Sequence, residues 1–139
     1  MTRKLGQVDL FTKRVRKAPP PHERPVHIAV ADALRWNAAP GWLWSHYPSG
    51  ELRTRQTGQL LKRMGTKAGW SDFLLVSPIG ARLHALELKR RGNKPTEEQK
   101  AFLAAVQAAG GEAAWCDSFD DAITILKAWG ALSDRIHLG

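Results

Sequence analysis

Cysteine occurs once in this 139-residue chain, as Cys116. One thiol cannot form an internal disulfide, and with five scattered histidines it offers none of the spacings that zinc sites use. No run of 18 apolar residues occurs, which excludes a transmembrane helix. The basic N-terminal stretch has no apolar h-region, so no signal peptide is expected, and the expected location is a reducing, cytoplasmic one, viral or bacterial. Neither G-x-x-x-x-G-K-[ST] nor G-x-G-x-x-G is present, so a phosphate-binding metabolic enzyme lacks its usual loops. Acid is in short supply: 13 Asp and Glu against 21 Lys and Arg give a net charge of +8 and a pI near 10.2. That excess is the electrostatic footprint of a nucleic-acid binder. An anionic membrane surface would also attract it, but no long amphipathic basic helix is available to lie on one. What is present is apolar enough to fold: 43% hydrophobic residues and six Trp argue for one domain with a real core.

The chain is organised around residues 69–89. Phe73 to Val76 is a short apolar run bounded by turn formers and reads as a buried strand. Pro78-Ile79-Gly80 is a turn, and Leu83 to Lys89 reads as the partner strand. Alternation puts Leu83, Ala85, Glu87 and Lys89 on one face. A two-residue loop at Ile79-Gly80 would set Asp72 directly opposite Glu87, with Cβ atoms about 4.5–5.5 Å apart.

Like charges directly opposed destabilise a sheet. A divalent cation removes the conflict, since hard cations such as Mg²⁺ are held by one or two carboxylates plus substrate phosphates. Asp72, Glu87 and Lys89 in one patch suit phosphodiester hydrolysis, the lysine steadying the charge that develops. The competing reading is an exposed strand with an ordinary cluster of charges.

Ser71-Asp72 followed by Glu87-Leu88-Lys89 resembles the signature of the PD-(D/E)xK nucleases. Adding Met64-Gly65, Gly69-Trp70 and Gln99 in that order, the chain resembles the virus-type replication-repair nuclease (VRR-NUC) branch over roughly Glu23 to Trp129. The resemblance implies Mg²⁺ or Mn²⁺ held by Asp72, Glu87 and the Leu88 carbonyl. It implies Lys89 as the catalytic lysine, with Glu23 and Gln99 supporting the site. It also implies a restriction-endonuclease-like core. Two departures stand out: Ser71 replaces the proline of the pattern, and Pro48-Ser49-Gly50 stands where Pro-Asn is common.

The flanking segments fit around that centre. Residues 1–21 are a basic arm ending in three prolines, either a solubilising tail or a grip on phosphates or a second subunit. The expected domain spans 22–130, and 131–139 reads as a short tail. Pro25 to Asn37 is an expected helix with Val26, Ala29, Val30, Ala33 and Leu34 on its apolar face. Glu23, just before it, is favoured there by the helix dipole alone. His27 reads as a partly exposed helix residue. Trp42 to Tyr47 is an expected strand whose Trp42–Trp44 face is core or interface. His46 shares that face and is directed towards the site, but as a metal ligand it is disfavoured, because this metal type prefers oxygen ligands.

Gln56 to Met64 is a short helix stopped by Gly65. Arg53, Arg55, Lys62, Arg63 and Lys67 form an acid-free basic stretch around it, read as phosphate-contacting. Trp70 is either a base-stacking platform or packing. Arg90, Arg91 and Lys94 lie in a basic loop after Lys89. Thr96 to Gln99 is a capping box opening a helix that buries Phe102, Leu103 and Val106. Glu112 to Cys116 is a further strand, Cys116 a structural thiol, and Ser118 opens a last helix.

The expected fold is α/β, a central mixed sheet flanked by helices. The expected activity is a metal-dependent DNA endonuclease, acting on branched DNA as a homodimer. The Trp42–Trp44 strand and the N-terminal arm are candidate dimer contacts. The rival is a non-catalytic nucleic-acid-binding module of the same fold.

Overall fold

A computed structural model describes residues 24–48 and 54–134. In chain order the elements are α1 (Arg24–Asn37), β1 (Leu43–His46), α2 (Arg55–Arg63), β2 (Phe73–Val76), β3 (Leu83–Leu88), α3 (Glu97–Ala108), β4 (Glu112–Cys116) and α4 (Phe119–Ala128). Every expected element is present, in the expected order. The four strands form one mixed sheet in the order β1-β2-β3-β4, antiparallel except for the parallel pair β3–β4.

The sheet divides the core in two. Phe73, Leu75, Leu86, Leu88 and Cys116 face α1 and α4, where Val30, Leu34, Ala122 and Leu126 meet them. On the other face Ala85 packs with Leu103 and Val106 of α3, flanked by Leu74, Leu83 and Phe102. Because strand side chains alternate, covering both faces makes β3 an almost continuous buried strand, with His84 through Leu88 all buried.

Turn chemistry sets the β2–β3 register. Phe73 pairs with Leu86 and Val76 with Leu83, the pairing that a loop at Ile79-Gly80 dictates. The loop is longer than expected: Ser77 N–H to the Arg82 carbonyl closes it, and Ile79 (φ 60°), Gly80 (φ 98°) and Ala81 (φ 48°) all take the left-handed conformation, yet the expected register is kept. Glycine accepts this freely; Ile79, a fully exposed β-branched residue, is strained there.

Of the two readings of the Trp42–Trp44 face, the core one is formed: both rings pack half-buried against the main core, and the exposed apolar residue of that strand is Leu43. One expectation changes. Residues after Gly130 do not all form a tail. Ala131 and Leu132 are buried in the main core. Ala39 N–H donates to the Ala131 carbonyl, Ala38 bridges to Leu132, and Ser133 N–H donates to the Asn37 carbonyl. Gly130 ends α4, but apolar residues beyond it still find core to fill. The basic N-terminal arm, Glu23 and Arg53 lie outside the described residues.

Candidate active site

The site forms at the end of β2 and β3 where the hairpin strands leave the ladder. Continuing the register one step beyond Phe73–Leu86 sets Asp72 opposite Glu87. Asp72 is half-buried. Its Oδ2 accepts a 2.8 Å hydrogen bond from Leu88 N–H, and its carbonyl accepts one of 2.7 Å from Tyr47 N–H. The carboxyl is thereby turned across the sheet onto the neighbouring strand. Glu87 lies on the same face of β3 as Ala85 and is 3% exposed. Its Oε1 is buried with no hydrogen-bond partner.

An unpartnered oxygen in a buried carboxyl beside a second carboxyl is costly. Burial, and next the charge of Asp72, push the Glu87 pKa up to about 8, against the opposing pull of Lys89 and His27. Lys89 Nζ lies 3.9 Å from Glu87 Oε2 and donates to Gln99 Oε1 at 3.1 Å.

Gln99 does two jobs with one oxygen. The Thr96–Gln99 capping box is formed: Thr96 Oγ1 accepts from Gln99 N–H, and Gln99 Oε1 accepts from Thr96 N–H at 2.8 Å. That same Oε1 receives Lys89. The N-terminus of α3 thus fixes the lysine, and the structural and the supporting readings of Gln99 are the same contact.

The approach to Asp72 is braced against α3 as well. Gly69 has φ +85°, and a Cβ there would lie 2.8 Å from the Glu98 carbonyl oxygen, so only glycine allows this approach. Trp70 stacks on Phe102 (centroids 4.8 Å apart) and meets Tyr47 (5.6 Å). It is packing that stiffens the approach, which answers the question its sequence left open. Ser71 is buried, and its hydroxyl has no partner.

Sequence reasoning brought Asp72, Glu87, Leu88, Lys89 and Gln99 together correctly in space. It missed His27. His27 Nε2 lies 3.3 Å from Asp72 Oδ1, reaching the site from α1 on the other side of the sheet. Its helical spacing marks it only as a neighbour of the apolar face, and nothing local in the sequence couples it to a distant aspartate. His46 packs on His27 and Phe73 rather than standing apart.

The basic residues are exposed. Arg55, Lys62 and Arg63 sit on α2, which buries none of its residues, with Lys67 beyond its end. Arg90, Arg91 and Lys94 occupy the loop directly after Lys89, pinned by Gly92 N–H to Asp117 Oδ2 and by buried Pro95.

The donor set suits one kind of metal. Among the described residues no group of three or more His, Cys, Asp and Glu side chains could hold an ion, so a zinc-like cage is not built. Two carboxylates, one with a buried orphan oxygen, fit a hard divalent cation that takes its other ligands from backbone, water and substrate phosphate. No helix among the described residues is long and apolar enough to cross a membrane.

Comparison with known proteins agrees with this frame. The family model of the VRR-NUC domain matches residues 28–120. A solved structure described as a VRR_NUC domain protein shares the fold, with a TM-score of 0.64 at 23% identity over 81% of this chain and 90% of that one. No curated protein matches the chain.

Proposed function

The chain belongs to the VRR-NUC domain family, a nuclease-type family, and from that premise we propose that it is a divalent-metal-dependent DNA endonuclease that hydrolyses phosphodiester bonds in branched DNA. The observation that carries the reading is the Glu87 carboxyl: buried, unpartnered at Oε1, and set beside Asp72 with Lys89 3.9 Å away. A fold with no use for a cation gains nothing from that arrangement.

Asp72 and Glu87, with the Leu88 carbonyl, would hold Mg²⁺ or Mn²⁺. Bound there, the ion would polarise the scissile phosphoryl group and favour attack by water. The protein's own side chains do the rest. Lys89, oriented by Gln99 Oε1, presents an ammonium to the negative charge that builds on the phosphate oxygens. Gln99 accepts from Lys89 through that oxygen, which keeps the lysine aimed at the site. Arg90, Arg91 and Lys94 on one side, and Arg55, Lys62, Arg63 and Lys67 on the other, bind flanking phosphates, which makes affinity fall steeply with salt. Glu23 supports the site, and Arg53 extends the basic stretch.

A homodimer would let one particle cut two strands of a junction, and two-fold pairing is the commonest closed assembly. Apolar surface for it exists at Trp36 and Ile28 on α1 and at Leu43 on β1.

The test is a cleavage assay on linear duplex, single-stranded, flap and four-way-junction DNA with Mg²⁺, Mn²⁺ or EDTA, comparing the parent with Lys89→Ala. Metal-dependent cutting of the branched substrates, lost in the variant, is the expected result. Tight binding of DNA with no product in any metal would refute the reading in favour of a binding module.

A further inference from the structure

Asp72 is restrained from three directions. Two of the donors are main-chain groups, Tyr47 N–H to its carbonyl and Leu88 N–H to Oδ2. The third neighbour is a side chain: His27 Nε2 lies 3.3 Å from Oδ1, within reach of it. With Leu88 on one oxygen and His27 on the other, the carboxylate plane is set. Without His27 only the Leu88 bond to Oδ2 would hold it, leaving Oδ1 to swing out of the position it shares with Glu87.

The imidazole is itself held. It stacks over Phe73 (centroids 6.4 Å apart, planes at 28°) and meets the edge of His46 (5.8 Å, 84°). Phe73 follows Asp72 on the chain and pairs with His46 in the β1–β2 register. The strand that places the carboxylate therefore also places the surface against which its donor packs. His27 is largely buried, with side-chain exposure of 18%. An imidazole locked by two rings and aimed by its Nε2 at a carboxylate is the arrangement by which outer groups orient metal-binding ligands.

We propose that His27 is a positioning residue for the metal site: its Nε2–H donates to Asp72 Oδ1 and holds that carboxylate towards Glu87 before a cation arrives. The inference rests on the metal-dependent reading above and assigns it a residue supplied by α1. His27 does not touch the cation or the substrate; it acts through Asp72. His46 and Phe73 act one step further out, by fixing the ring.

The test measures metal binding without turnover. Isothermal titration with Mn²⁺ is run on the parent, Asp72→Asn, His27→Phe and His27→Gln, with unfolding curves of each in EDTA. His27→Phe keeps a ring on Phe73 and His46 but removes the donor; His27→Gln restores an N–H near the Nε2 position. The expected result is binding by the parent, none by Asp72→Asn, affinity about 10–100-fold weaker in His27→Phe, and recovery of most of that loss in His27→Gln. Parent-like Mn²⁺ affinity in His27→Phe overturns the inference while leaving the nuclease reading intact. So does an equal loss in His27→Phe and His27→Gln, which would make the ring's packing the only role. A parent that binds no Mn²⁺ overturns both. Nitrogen NMR of the metal-free parent gives an independent check: the Nε2–H tautomer of His27 is expected, and a ring protonated only on Nδ1 overturns the assignment.

Discussion

Replacing Glu87 by Gln should make the metal-free protein more stable at alkaline pH and remove its response to divalent metal. The carboxyl is buried, with an unpartnered oxygen, beside Asp72. Its pKa is raised from 4.5 to about 8, first by burial and then by the Asp72 charge. A folded-state value above the unfolded one means that the folded protein holds a proton the unfolded chain has released. The stabilisation is complete below about pH 4.5 and is lost as pH rises through 8. At about 1.36 kcal/mol per unit the shift has a ceiling near 5 kcal/mol, and relaxation around the charge brings the expected loss to about 2–4 kcal/mol. Gln has the same shape and no charge, and it offers N–H donors to Asp72.

In EDTA the gap between parent and variant should therefore be small at pH 5.5, nearest the unfolded value, and widen steadily as pH rises towards 8. At pH 9 the variant should melt about 10 °C higher, since each kcal/mol moves Tm by a few degrees in a domain of this size. Mn²⁺ at about 100 times its Kd should raise the parent's stability by about 2.7 kcal/mol, and more at pH 9 than at pH 6, where binding must first displace the proton. The variant should gain little at either pH. Thermal unfolding across pH 5.5–9 with EDTA or Mn²⁺ reads all of this. A variant that loses stability with rising pH as steeply as the parent would refute the reasoning, because the titrating group would then lie elsewhere.

Four further substitutions probe the frame around the site. Ile79→Asn turns the hairpin loop into Asn-Gly, the pair that best tolerates its positive φ angles. It should raise unfolding stability in urea by about 1 kcal/mol and leave cleavage unchanged. Gly69→Ala should cost about 1–3 kcal/mol and reduce cleavage, because its Cβ meets the Glu98 carbonyl and levers the Asp72 approach away from α3. Ser71→Ala removes a buried hydroxyl without a partner and should stabilise by about 1 kcal/mol in the same urea assay. Burial between Trp42 and Trp129 lowers the His84 pKa, so its stabilisation is present above pH 6.5 and lost as pH falls below it; His84→Phe should flatten that acid limb of the Tm–pH curve.

How far the chain could be read in advance follows from where each determinant sits. The hairpin was legible because its turn residues, register and carboxylate pair lie within one stretch of about 20 residues, and an apolar face that must be buried leaves only one pairing. The order of elements was legible because most are bounded by caps and turn residues: Thr96 and Ser118 each accept the hydrogen bond expected of an N-cap. Gln99 was legible as a capping-box member and as a neighbour of Lys89, without any sign that a single oxygen would serve both contacts.

What stayed hidden depends on contacts between segments distant in sequence. His27 reaches Asp72 only because α1 lies against the sheet beside β1 and β2, a docking that no local pattern encodes. The Trp42–Trp44 face turned inward because the sheet is covered on both sides. Ala131 and Leu132 joined the core because the chain after α4 returns to the end of α1.

These hidden contacts share a consequence for the site. The two carboxylates come from a local hairpin, and Leu88 N–H within it holds one oxygen of Asp72, but the other groups that fix the site come from elsewhere: Gln99, which aims Lys89, from α3, Tyr47 from the end of β1, and His27 from α1. A hairpin alone would place Asp72 opposite Glu87 and then let the two charges part. The α/β frame prevents that by enclosing Glu87 on its strand and tying Asp72 to donors on its neighbours. The pair is thus kept together in the folded protein with a proton on Glu87 that a cation would displace, and apart from Leu88 the residues that hold it lie outside the motif by which the hairpin is recognised.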